Sequence, residues 1–245
     1  MCNNLILPLR SNRLTFMDKS GTTIIKKAFA GLSALAVVIW LALFLPAGSF
    51  SYWQGWLYWT TFFVCVTAIT AYFLKSDLTL IAGRLKAGPN AEKQKTQVIV
   101  QTFAAIFFIM LLVIPPFDYR YMWSHVPAAL SVAADVFVVL GLGVVFLVFK
   151  ENSHASATIQ VTEGQKVISS GPYRVVRHPM YSGALLMLFF TPLALGSFLG
   201  LLAFPPMLLA ISFRLVEEEK YLKIKLQGYA EYCKKSRYRL IPFIW

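Results

Sequence analysis

Charge is what this chain has least of. Asp, Glu, Lys and Arg together make up 14% of its 245 residues, where a soluble domain carries about 25%. That is too little polar surface to cover a fold in water. Disorder is excluded too, because hydrophobic residues reach 58% and aromatics 15%. Cysteine is scarce: Cys2, Cys65 and Cys233 are scattered and odd in number, which excludes a disulfide framework. The three histidines, His125, His154 and His178, have no cysteine or second histidine at metal-ligand spacing. The sequence contains no P-loop, no G-x-G-x-x-G and no G-x-S-x-G. It contains no internal repeat and no low-complexity tract.

Long apolar runs are what it has instead. A helix needs about 20 apolar residues to cross a bilayer. Four stretches qualify: 28–46, 53–74, 98–115 and 126–149, the last with Asp135 inside it. Trp53, Trp56, Tyr58 and Trp59 open the second as an interfacial aromatic cluster. A fifth apolar region, 182–213, is too long for one span of ordinary tilt. It is interrupted by Pro192, Gly196, Gly200, Pro205 and Pro206. A hairpin of two short helices turning near 196–200 is expected. The fold class is therefore all-α and polytopic, with six membrane segments. Three regions follow: an N-terminal extension (1–27), a four-helix membrane region (28–150) and a C-terminal region (151–245) with the hairpin and a basic tail.

The formal charge of +12 raises the question of nucleic acid. Position answers it. With the hairpin in place, 22 of the 23 Lys and Arg fall on one side of the membrane, and only Arg120 on the other. By the positive-inside rule both termini and the large basic loops are cytoplasmic. Anionic lipid then accounts for the charge, and no nucleic-acid partner is expected. Residues 1–20 make a poor signal peptide, and Met17 is an alternative start.

Polar residues concentrate at the two feet of the hairpin. One foot runs from Lys150 to Gly183 and contains Gly171-Pro172-Tyr173 and Arg177-His178-Pro179-Met180-Tyr181-Ser182-Gly183. Pro179 pushes His178 towards an extended conformation and suits the start of a helix. Backbone N–H groups at 178–181 would then favour a negative ligand group. A membrane-entry turn with an interfacial His and Tyr explains the same residues. The other foot is Arg214 with Glu217-Glu218-Glu219. Arg214 and Glu218 share a helical face. Three adjacent carboxylates call for a cation, supplied by a ligand or by Lys220, Lys223 and Lys225. Folding the hairpin would merge the two feet into one composite site. Elsewhere, Asp135 is expected to make a structural hydrogen bond, and Gly141-x-Gly143 to permit close helix packing.

Taken together, these segments resemble the isoprenylcysteine carboxyl methyltransferase family, which is related to the phospholipid methyltransferases. The resemblance rests on Gly171-Pro172-Tyr173, on the R-H-P-x-Y-x-G run from Arg177 to Gly183, and on Arg214 with Glu218-Glu219. It continues through Gly228-Tyr229, Tyr232 and Arg237-Tyr238-Arg239-Leu240-Ile241-Pro242. It covers about 100 residues, and 1–150 match only as membrane spans. The resemblance implies carboxyl O-methylation of a lipid-like, prenylated acceptor with S-adenosyl-L-methionine as cofactor. It implies cofactor contacts from Gln165, Lys166, Val167, Ile168, Tyr173, His178, Pro179, Met180, Tyr181 and Glu218. It implies the catalytic, acceptor-binding role for Arg214. An ungapped alignment would add Thr158. The rival acceptors are a phospholipid or another small hydrophobic molecule. Outside the enzyme class, the rivals are a membrane scaffold and a small transporter.

Overall fold

A computed structural model describes residues 9–85, 95–155, 161 and 165–245, with the backbone alone given for 9–20 and 95. The described residues form helices and turns and contain no strand. The helices are α1 (Leu9–Ala47), α2 (Trp53–Ser76), α3 (Leu78–Arg84), α4 (Lys95–Tyr121), α5 (Ala128–Glu151), α6 (Pro179–Ala194), α7 (Phe204–Lys225) and α8 (Tyr229–Lys235). Short 3₁₀ turns lie at Gly171–Arg174 and Leu199–Ala203. Among the described residues, five helices are long and apolar enough to cross a membrane: the Gly21–Ala47 part of α1, α2, α4, α5 and the Leu199–Lys225 stretch containing α7. The protein is a multi-pass integral membrane protein. Its outer surface is apolar, with Val37, Leu45, Val64, Ile99, Val136 and Leu209 all more than half exposed. Such a surface suits hydrocarbon as solvent.

The hairpin is present. Pro179 is the first residue of α6, and His178 before it has φ −125°. The turn falls at Gly196, whose φ of +79° favours glycine. Only one arm is short. α6 has 16 residues, while α7 has 22 and carries Glu217, Glu218 and Glu219 on as helix beyond the apolar run. Pro205 and Pro206 sit in the first turn of α7, where missing N–H groups cost nothing. A second difference concerns Pro115 and Pro116, which do not end the third span. α4 continues through them to Tyr121. Pro115 packs with Pro192 on the site where Gly200 lacks a side chain.

Polar contacts fasten the hairpin tip. Tyr52 Oη donates to the Leu195 carbonyl at 2.5 Å. Asp118 is fully buried and accepts from Ser197 Oγ, Ser124 Oγ and the Ser124 N–H. Further down, α5 and α6 touch at backbone distance. A Cβ on Gly141 would meet the Gly183 carbonyl oxygen at 2.7 Å, and one on Gly183 would meet that of Gly141 at 2.8 Å. Gly143 meets nothing within 4 Å, so only the first glycine of Gly141-x-Gly143 serves packing. Asp135 is buried, and its Oδ1 has no hydrogen-bond partner among the described residues. Two apolar clusters fill the bundle, one around Leu43, Tyr58, Val138 and Leu195, the other around Leu111, Leu188, Met207 and Leu215.

Candidate functional site

The two polar feet meet at the end of the bundle opposite the hairpin tip. Three links join them. Tyr181 Oη, in the first turn of α6, donates to Glu218 Oε2 of α7 at 2.7 Å. His178 Nε2 lies 3.3 Å from Glu219 Oε1. Residues 238–240 then run along the α6 entry: the N–H groups of Arg177 and His178 donate to the carbonyls of Tyr238 (2.9 Å) and Arg239 (3.0 Å). Ser182 Oγ donates to the Leu240 carbonyl at 2.6 Å. The His178 N–H is therefore taken by the chain itself. The expectation that backbone N–H groups across 178–181 stand unpaired is corrected at this residue.

The three consecutive carboxylates divide their roles by helical rotation. Glu219 is buried between Arg177 Nη1 at 3.0 Å, Arg239 Nε at 3.1 Å and His178. Glu217 pairs with Lys220 at 2.6 Å. Glu218 faces a pocket. The cations that meet Glu219 thus come from the R-H-P run and the C-terminal tail, and only Glu217 uses a lysine of its own helix. Arg214 is buried behind Tyr181. Its Nε donates to Tyr181 Oη at 3.1 Å, and its Nη1 to Gln97 Oε1 at 3.2 Å.

One pocket collects Gln165, Lys166, Val167, Ile168, Tyr173, His178, Pro179, Met180, Tyr181 and Glu218 in its lining. All ten pocket residues expected from sequence are therefore together, and Arg214 stands one side chain away. Thr158 lies outside the described residues. The pocket also has walls that sequence reasoning left without a role. Asn152, Arg177, Leu222, Leu226, Tyr229 and Tyr232 line it. Tyr229 and Tyr232 were visible as part of the tail pattern, but spacing alone did not aim them inward. Gly228 does so: its φ of +84° turns the chain from α7 into α8 and swings both rings over Leu226. Nothing in the sequence linked Gln97 to Arg214, 117 residues apart.

The aromatic wall is held rigidly and is uncharged. Asn152 Nδ2 donates to Tyr173 Oη at 2.8 Å. Tyr232 Oη donates to the Tyr173 carbonyl at 2.7 Å. Burial pushes the Tyr173 phenol above its ordinary value; the Asn152 bond opposes this and nearby Glu218 adds to it. Burial likewise pushes Tyr232 up to about 12. Both rings stay protonated at neutral pH. The pocket thus offers one carboxylate, several neutral aromatic faces, the Met180 thioether, the His178 ring, and the cationic groups of Lys166 and Arg177. Such a set receives a flat, partly cationic ligand.

Residues 130–227 match the family model described as phospholipid methyltransferase, the family of the membrane methyltransferases related to the isoprenylcysteine enzymes. The match runs from α5 through the acidic foot, so it contains Tyr173, the R-H-P-x-Y-x-G run, Arg214 and Glu218. No curated protein matches the chain. Over this region the chain is similar to the phospholipid methyltransferases, and the match leaves residues 1–129 outside it.

Proposed function

We propose that this protein methylates the carboxylate of an isoprenylcysteine-like lipid at the cytoplasmic face of its membrane, with S-adenosyl-L-methionine as donor. The observation that carries the reading is the line Glu218–Tyr181–Arg214, which joins the pocket to a buried guanidinium on the hydrocarbon side. The pocket's chemistry fits the cofactor. Glu218 accepts from an ammonium or a ribose hydroxyl. Tyr173, Tyr229 and Tyr232 present ring faces to the adenine or the sulfonium. Gln165, Lys166, Val167 and Ile168 line the pocket together with His178, Pro179 and Met180. Held by these residues, the cofactor would supply an electrophilic methyl group for a carboxylate oxygen, its sulfonium leaving as a neutral thioether.

The chain's own residues do the remaining work. Arg214 holds the carboxylate with its planar fork of donors. Tyr181 accepts from Arg214 and donates to Glu218, which fixes both relative to the pocket. Burial of Arg214 strips water from the acceptor and strengthens the pairing. A carboxylate is already ionised at neutral pH, so no general base is required. The accumulation of Arg84, Lys150, Arg174, Arg177 and the tail cations at the site's end of the bundle supports a cytoplasmic site. The test is incubation of membranes with methyl-labelled cofactor. Label lost as volatile methanol on base treatment marks an ester; base-stable label excludes carboxyl methylation.

The family match favours a second reading, transfer to the amine headgroup of a phospholipid. Arg214 would then hold the phosphate, and the amine would need a proton acceptor. The product there is base-stable. A scaffold or transporter is separated from both by calorimetry: purified, folded protein that takes up no cofactor is no methyltransferase.

A further inference from the structure

Resting on the reading of Arg214 as the acceptor-binding cation, we propose that Gln97 is a second acceptor-binding residue. Its side-chain N–H donates to the same lipid-borne oxyanion, and the acceptor's hydrocarbon chain lies in the groove between α4 and α7.

Gln97 stands in the first turns of α4 and is only 1% exposed. A guanidinium can donate but not accept. The bond from Arg214 Nη1 therefore fixes the amide, with Oε1 towards the arginine and the NH₂ turned away. That Nε2 is buried and has no hydrogen-bond partner among the described residues. Buried amide donors are nearly always paired, so one without a partner next to a buried arginine points to a ligand that brings an oxygen. The amide offers a donor beside the arginine. A carboxylate or a phosphodiester meets it, whereas an ammonium would leave Nε2 unmet.

An apolar groove runs along the same two helices, next to this pair in the chain, although neither Gln97 nor Arg214 lines it. Thr96 and Phe213 are the chain neighbours of Gln97 and Arg214, and both line a cavity of about 360 Å³. Its other walls include Phe103 and Phe107 of α4 and Pro206 and Ala210 of α7. The lining is almost wholly carbon and faces the bilayer. A lipid with its oxyanion at Gln97 and Arg214 has its tail at this groove, while its head reaches the pocket through Tyr181.

The decisive variant is Gln97→Glu. It keeps an oxygen for Arg214 and replaces the outward donor by a negative oxygen. The measurement uses the full chain in detergent, with S-farnesylcysteine, its carboxamide, and phosphatidylethanolamine in mixed micelles as probes. Binding is followed by calorimetry and KM by methyl transfer. Gln97→Glu is expected to weaken the oxyanion probe that the wild type binds by tenfold or more, the worth of a hydrogen bond to a charged group. Affinity for S-adenosyl-L-methionine should be unchanged and the carboxamide little affected. Ala210→Trp, which fills the groove, should raise the KM of the farnesyl probe without changing cofactor affinity. A loss confined to phosphatidylethanolamine keeps the role of Gln97 and makes the oxyanion a phosphate. Gln97→Glu protein that binds and methylates like wild type overturns the inference, since Gln97 would then only hold Arg214, and leaves the methyltransferase reading intact. Wild-type protein that binds the carboxylate through Gln97 but moves no methyl group sinks the methyltransferase reading alone.

Discussion

The hydroxyl of Tyr181 lies 2.7 Å from Glu218 Oε2 and 3.1 Å from Arg214 Nε. One phenol thus spans the acid that lines the pocket and the guanidinium buried behind it. Its single proton goes to the carboxylate, and its lone pair receives the arginine N–H. The hydrogen bond replaces a direct charge contact with a rigid spacer. A ring locked in the first turn of α6 is harder to displace than two long flexible side chains.

Tyr181→Phe keeps the ring and removes both bonds. Each is a hydrogen bond to a charged group, worth about 1.5–3 kcal/mol. Turnover is expected to fall tenfold or more, and cofactor affinity to fall less, because Glu218 remains in the pocket wall. Calorimetry with the cofactor beside a methyl-transfer assay checks the split. An unchanged turnover number would deny the phenol its positioning role.

Glu218→Ala and Arg214→Ala should fail differently. Glu218 faces the pocket, so its loss should abolish cofactor binding as measured by calorimetry. Arg214 stands outside the pocket wall, so its loss should spare cofactor binding while turnover collapses. The shared phenol makes some coupling certain in kind, and a double-mutant cycle with Tyr181→Phe measures it. Equal losses of cofactor affinity in the two single variants would contradict the division.

Glu219 has a structural task that its neighbour lacks. It is 2% exposed and meets Arg177, Arg239 and His178. Breaking such a buried pair leaves charges uncompensated, at a cost of about 3–5 kcal/mol. Glu219→Gln should lower the melting temperature in detergent more than Arg239→Ala does, since the Arg239 side chain is 30% exposed. Both should loosen residues 238–240 from α6, read as faster proteolysis of the tail. A tail no more cleavable in Glu219→Gln than in wild type would remove the latch from the account.

How much of this was legible beforehand varied with the kind of information required. Apolar length and the Pro/Gly interruptions announced the spans and the hairpin, because hydrocarbon thickness imposes a length on any crossing helix. The ten residues named as cofactor contacts line one pocket, and the order of the motif run was the signal that grouped them. What pairs with what was not legible. Sequence offered Lys220, Lys223 and Lys225 as partners for the acid run, but a helix turns each carboxylate by about 100°. Adjacent acids therefore look to different elements, and Glu219 finds Arg177 and Arg239. Gln97 was invisible for a related reason: its partner comes from a helix pair brought together only by the closed bundle. Pro115 and Pro116 misled because proline disfavours a helix interior without forbidding it, and α4 runs through both to Tyr121, with Pro115 and Pro192 beside Gly200.

The glycines of α5 allow a direct test of helix packing. Gly141 and Gly143 look equivalent in sequence, both being small residues in an apolar helix. Their surroundings differ: a methyl group on Gly141 would sit 2.7 Å from the Gly183 carbonyl oxygen and 2.9 Å from Met187 Cβ, while one on Gly143 meets nothing within 4 Å. Backbone cannot yield as a side-chain tip does, so Gly141→Ala must push α5 and α6 apart. Overpacking of this kind costs about 1–3 kcal/mol. Gly143→Ala should be neutral or stabilising by up to about 1 kcal/mol, the helix preference of alanine over glycine. Because α6 carries His178, Met180 and Tyr181 at its foot, Gly141→Ala should also weaken cofactor binding, with Gly143→Ala as the control. Parallel melting curves and calorimetry settle it: equal stability of the two variants would mean that the glycine contact does not set the distance between α5 and α6.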